Sequence, residues 1–185
     1  RLGKRPDRVQ LQWVKAPLQA GTTATLKIKP PHDGEALVTV QSGEALLWTK
    51  RISVSASGSE VQIPIGTQPD WARHDLYATV TAFRPGSQGD RVTPARAVGL
   101  LHLPLAREER RFRVALQAPA KTEPERKVPV KIKLEGVDAA KAKDAWVTLS
   151  AVDVGILNIT RYATPDAFDF FFGKHRFAPE WLDLY

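Results

Sequence analysis

The sequence predicts an all-β fold of antiparallel sandwiches in tandem, the second incomplete and ending in a short helix. Three observations predict it. Apolar and polar residues alternate with a period of two through most of the chain, the alternating runs are rich in β-branched and aromatic residues, and Gly, Pro, Asp and Ser cluster between them.

The elements follow in order. Val9, Leu11 and Trp13 alternate with Gln10, Gln12 and Val14, and Ala24, Leu26 and Ile28 alternate with Thr25, Lys27 and Lys29. Residues 37–40 and 46–48 continue the pattern, as do Val61, Ile63 and Ile65, then residues 76–80 and 97–103. Residues 30–34, 41–44, 55–59 and 84–90 separate these runs and carry the residue types that supply turn geometry. About seven short strands with frequent turns and no helical stretch read as a sandwich of fibronectin type III architecture, without a Cys pair across its sheets. This first module is expected over residues 9–105, after an N-terminal extension of residues 1–8.

The charge pattern changes at residues 106–110, which read as a linker. From residue 111 to 185 a second sandwich is expected in part, with strands at 112–117, 128–134 and 146–152. A sheet left with so few strands exposes edges and an apolar face, so its remaining strands are expected from downstream in a longer chain or from a partner. Near the end the pattern turns helical. Thr164 suits an N-cap, Pro165 the first helical position and Asp166 the positive helix end, and Phe168, Phe171 and Phe172 share one face before Gly173. A further turn is expected at residues 179–182, with Trp181, Leu184 and Tyr185 on its apolar side.

Composition narrows the function classes. Hydrophobic residues make up 43% of the 185 and charged residues 25%, the balance of a chain that buries a core rather than one that stays disordered. Nothing approaches the ~18 apolar residues of a membrane helix, so no direct membrane contact is expected from this segment. There is no Met, and Arg1 reads as a cut point inside something longer. The net charge of +7 invites a nucleic-acid reading, but the densest basic run, residues 107–113, interleaves two Glu with four Arg, which is how a solvated surface is written. No nucleic-acid partner is expected. Cysteine is absent, which removes disulfides and thiolate chemistry from the segment. His32, His74, His102 and His175 lack the close spacing of metal ligands, and Ser150 sits on an alternating run without a nucleophile elbow. No catalytic residue, cofactor or metal is therefore expected.

The segment from Ala145 to Phe177 carries a resemblance. Its core is Val152-Asp153-Val154-Gly155-Ile156-Leu157, followed by Thr164-Pro165-Asp166 and an aromatic run containing Phe171 and Phe172. In this order the motifs resemble the bacterial branch of the alpha-2-macroglobulin family, and residues 20–40 and 76–80 look like a preceding macroglobulin module. The resemblance implies a scaffold segment of a large periplasmic protein, held to the inner membrane by a lipid anchor, that traps proteases once they cut an exposed bait segment. It also implies that the bait begins shortly after Tyr185, and that any Cys-x-Glu-Gln thioester lies outside this segment. Target proteases are then the partners, reached through the parent protein, with periplasmic partner proteins in addition.

Two features admit a functional reading beside a structural one. Asp153, an acid among valines, reads either as a buried general acid or base or as a cap on the turn before Gly155, and no second titratable group lies near it in sequence. The aromatics Phe168, Phe170, Phe171, Phe172, Phe177, Trp181 and Tyr185 read either as a docking patch or as cover for the open second sandwich. The alternative for the whole chain is a fibronectin-type periplasmic or cell-surface docking module without trapping. A polysaccharide-binding module would need a row of aromatics on one face, and Trp13, Trp48 and Trp71 are dispersed.

Overall fold

The computed structural model describes residues 6–84, 95–123, 125–160 and 162–177. It is mostly antiparallel β-structure in two compact units: residues 1–106 with 171–185, and residues 107–170. The second unit is thus inserted in sequence between two parts of the first. The expected turn at 179–182, with Trp181, Leu184 and Tyr185, lies outside the described residues, as does most of the turn at 84–90.

The first unit is built from seven strands: β1 (Gln10–Trp13), β2 (Thr23–Lys29), β3 (Gly34–Gln41), β4 (Leu46–Val54), β5 (Ser59–Pro64), β6 (Tyr77–Phe83) and β7 (Arg96–His102). They form a three-stranded sheet, β1-β2-β5, and a four-stranded sheet, β4-β3-β6-β7. All the pairings between these strands are antiparallel. Period-two alternation becomes geometry here. In β2, Ala24, Leu26 and Ile28 point inward, in β3 Ala36, Val38 and Val40 do, and with Val61, Ile63, Ala78, Val80, Ala82 and Ala97 they make one continuous core. Leu26, Val38 and Ile63 are wholly buried in it.

β4 is longer than the apolar run at 46–48 indicates. It continues through Thr49, Lys50 and Arg51, all exposed, to Ile52 and Val54. An edge strand tolerates charges on its solvent face and is protected by them from pairing with other chains, so the alternation that marks a central strand is broken there. The opposite edge of that sheet is covered differently. Residues 7–9 run parallel to β7, with Val9 N–H donating to the Val98 carbonyl at 3.0 Å and Val98 N–H donating to Asp7 at 2.9 Å, before the chain crosses to the other sheet as β1. Gly99 lies beneath this crossing. A Cβ there would stand 2.7 Å from the Val9 carbonyl oxygen and 2.9 Å from the Leu11 side chain, so only glycine lets the backbones approach.

The second unit holds a two-stranded antiparallel sheet, β8 (Arg113–Gln117) with β9 (Lys131–Glu135), and the helices α1 (Ala139–Ala142) and α2 (Val154–Thr160). Helix α3 (Ala167–Phe172) follows and leads the chain back toward the first unit. The strand expected at 146–152 is not formed. A strand needs a partner, and among the described residues only β8 and β9 pair in this unit. Trp146 is consequently 94% exposed, and Leu149 and Val152 are also open to solvent. The expected helix is present, but its cap is Asp166 rather than Thr164: the Asp166 Oδ1 accepts the Asp169 N–H at 2.9 Å, which leaves Thr164 and Pro165 before the helix.

Candidate functional site

The motif residues fall on two short helices and the segments before them. Asp153 stands at the start of α2. Its Oδ1 accepts the Gly155 N–H at 2.7 Å and its carbonyl accepts the Leu157 N–H at 3.2 Å, so an exposed carboxylate satisfies helix-end donors. A Cβ at Gly155 would lie 2.8 Å from that same Asp153 Oδ1, a contact the exposed carboxylate can relieve by turning. Thr160 closes the far end of α2 by donating to the Ile156 carbonyl at 2.8 Å. Asp166 repeats the arrangement on α3. Both carboxylates are engaged as caps at helix ends.

The side chains around them are exposed to a degree unusual for apolar residues. Val152, Ile156 and Phe171 are open to solvent, Phe170 is 70% exposed, and Leu157 and Phe172 are half-buried. Phe168 is half-buried as well, with the Arg111 guanidinium 4.0 Å above its ring in a cation–π contact.

Of the aromatic cluster, Trp181 and Tyr185 lie outside the described residues, and Phe177 lies against Tyr77, ring centroids 4.8 Å apart, with the Tyr77 hydroxyl donating to the His175 carbonyl. The imidazoles of His74 and His175 face each other at 4.3 Å, and His102 meets the Tyr77 ring edge-on at 5.2 Å while its Nε2 contacts the His74 carbonyl at 3.0 Å. Burial pushes the Tyr77 phenol above its usual range. His175 is itself exposed, between exposed Lys174 and Arg176, and the sequence assigned Tyr77 only to a strand. The two are 98 residues apart, and nothing local to either marks the contact.

The first unit's electrostatics are structural. Arg73 holds Asp75 through two hydrogen bonds of 2.9 Å and Glu44 through one of the same length. Hydrogen bonding to Asp75 and Glu44 raises Arg73 still further, and in return Arg73 holds the Asp75 carboxyl below its ordinary value. Asp33 ties one turn to another by accepting from the Ala56 N–H at 2.7 Å and the Ser55 hydroxyl at 3.0 Å, which lowers its pKa. Among the described residues no three His, Asp or Glu side chains are grouped to hold a metal ion, and no helix is long and apolar enough to cross a membrane.

Comparison with known proteins places this geometry in context. The profile described as the alpha-2-macroglobulin bait region domain matches residues 9–159. The alpha-2-macroglobulin of Escherichia coli K12 is 44% identical over 181 residues, which is 98% of this chain and 11% of that protein. The crystal structure of Salmonella alpha-2-macroglobulin reacted with methylamine superposes with a TM-score of 0.74 at 42% identity, covering 93% of this chain and 11% of that one. Trypsin-activated alpha-2-macroglobulin from Escherichia coli gives 0.72 at 41% identity, again over 93% and 11%.

Proposed function

Since this chain belongs to the alpha-2-macroglobulin family, we propose that it is a scaffold segment of a protease-trapping inhibitor rather than an enzyme. The observation that carries the reading is the pairing, in one chain, of a fully packed sandwich with a motif-bearing segment whose two motif acids, Asp153 and Asp166, cap short helices. Such a segment positions other parts of a molecule and does no chemistry itself. The similarity to a solved relative described as trypsin-activated supports a protease as the partner of the parent protein.

In this reading the sandwich is part of a rigid ring of modules. The segment of residues 111–185 leads to a bait segment soon after Tyr185, and strands from elsewhere in the longer protein complete the two-stranded sheet. Cleavage of the bait biases a two-state arrangement of modules. The parent resides in the periplasm on a lipid anchor at the inner membrane and meets its target proteases there. A thioester, where the parent has one, lies in another domain, because this segment has no cysteine.

A second reading, a fibronectin-type docking module without trapping, draws on the exposed Trp146, Ile159 and Phe170. Limited proteolysis of the full-length parent with several unrelated proteases, followed by mass spectrometry and small-angle scattering, separates the two. Early cuts within some tens of residues after Tyr185 together with a global change of shape are expected for the trap. Cuts scattered over linkers with no change of shape would leave the docking module.

A further inference from the structure

The chain carries 27 Lys and Arg residues, and among the described residues they stand side by side three times: Lys50-Arg51, Arg110-Arg111 and Arg126-Lys127. The first two pairs are held in structure. Lys50 and Arg51 lie within β4, in register with Val38 and Leu37 of β3, and Arg51 binds Glu35 at 3.2 Å. Arg110 and Arg111 close a helical turn, their N–H groups donating to the Arg107 and Glu108 carbonyls at 2.9 and 3.0 Å, and the Arg111 guanidinium lies over the Phe168 ring.

The third pair is held by neither a ladder nor a helical turn. It lies in the connection from β8 to β9, where residues 126–130 belong to no strand or helix and every side chain is exposed. The Arg126 guanidinium reaches the Glu123 carboxylate only at 3.5 Å, between side chains 72% and 79% exposed. Glu125, next to the pair, has φ 62°, a left-handed conformation that is costly for a residue with a Cβ and is given up when the chain is drawn out straight. An endopeptidase takes its substrate as an extended strand, pairing with the backbone and seating the side chains in pockets, so a segment engaged in its own ladder is not cut. Lys50-Arg51 meets that demand only when the sandwich unfolds, whereas Arg126-Lys127 meets it in the native fold. Proline, which blocks cleavage on its own amino side, follows neither base: Lys127 comes after Arg126 and Val128 after Lys127.

We propose that Arg126-Lys127 is a processing site for a protease that recognises paired basic residues through acidic pockets, separate from the bait segment expected after Tyr185. Water adds across the peptide bond that follows one of the two bases. At Arg126–Lys127 the hydroxyl goes to the Arg126 carbonyl carbon and the Lys127 nitrogen leaves with a proton, giving a carboxylate and an ammonium group. The cut severs the connection between β8 and β9 and touches none of the residue pairs that join them, from Arg113↔Glu135 to Gln117↔Lys131. The site does not rest on the protease-trap reading.

The test is brief digestion of the full-length parent with trypsin and, separately, with a subtilisin-like protease specific for paired basic residues, the cut sites being mapped by mass spectrometry. Both are expected to cut after Arg126 or Lys127 at least about a hundredfold faster than after Lys50 or Arg51, whose strand opens only with the sandwich. Replacing the pair, Arg126→Gln with Lys127→Gln, changes two exposed side chains and is expected to abolish the cut by the second protease while bonds elsewhere are cut as before. A parent that stays whole at residues 126–128, or one cut there no faster than at Lys50-Arg51, would overturn the site, as would a double variant cut there as fast as the wild type. Cuts after Tyr185, and any change of shape that follows them, bear on the trap reading alone.

Discussion

Val38 and Val114 are both valines in antiparallel strands, yet the first is wholly buried and the second 39% exposed. The contrast runs through the two units. In β3 the neighbours on both sides are strands, and a second sheet closes over the inward face; β8 has one partner, β9, and both of its faces are open. Similar sequence patterns therefore have different energetic weight. Alternation sets which side chains share a face, but burial depends on whether the chain supplies something to cover that face.

Substitutions sharpen the comparison, and the largest effect is expected in the core of the first unit. Leu26→Ala is expected to destabilise the 185-residue chain by about 2–5 kcal/mol in urea denaturation followed by the fluorescence of the buried Trp13 and Trp71, whereas Leu116→Ala changes the same midpoint by no more than about 0.5 kcal/mol. Equal losses would break the contrast. Gly99→Ala forces a methyl group into the crossing strand and is expected to cost about 1–3 kcal/mol in the same assay. In the second unit the most sensitive position is a cap. Asp153→Ala is expected to remove about 1 kcal/mol from α2, seen as faster amide exchange over residues 154–160 with no change in the first unit.

The smallest effect is one of pH. The Asp75 carboxyl is held below its ordinary value by Arg73, so the folded state binds that proton less readily than the unfolded chain. Its contribution is complete above about pH 4 and fades as the pH falls through the lower folded value. The pair is partly exposed, which limits the gain to at most about 1 kcal/mol. Asp75→Asn is expected to flatten the acid limb of the first unit's stability profile while leaving exchange in α2 unchanged.

The legibility of the fold follows the same division. Leu26 and Ile28, or Val38 and Val40, could be assigned to a buried face from sequence because the pattern they show is local and the partner strands lie in the same segment. The continuation of β4 through Lys50 and Arg51 was hidden, since an edge strand need not alternate. The run from Trp146 to Val152 has strand composition but no strand, because composition cannot supply a missing partner. At the site, the capping role of Asp153 was readable in its spacing to Gly155. The meeting of Tyr77 with His175 and Phe177 was not: it depends on where the chain returns after an inserted unit, and no period or motif encodes that return.

The way residues 7–9 lie along β7 has a mechanical consequence. These residues and β7 run in the same direction, and so do Leu18 and Leu105 at their bridge. Tension entering the first unit near Asp7 and leaving near Ala106 pulls the paired segments along their own axes. Hydrogen bonds such as those between Val9, Val98 and Asp7, or between Leu18, Pro104 and Ala106, are then loaded together in shear rather than peeled apart one after another. A module stitched in this way resists a pull applied between Asp7 and Ala106.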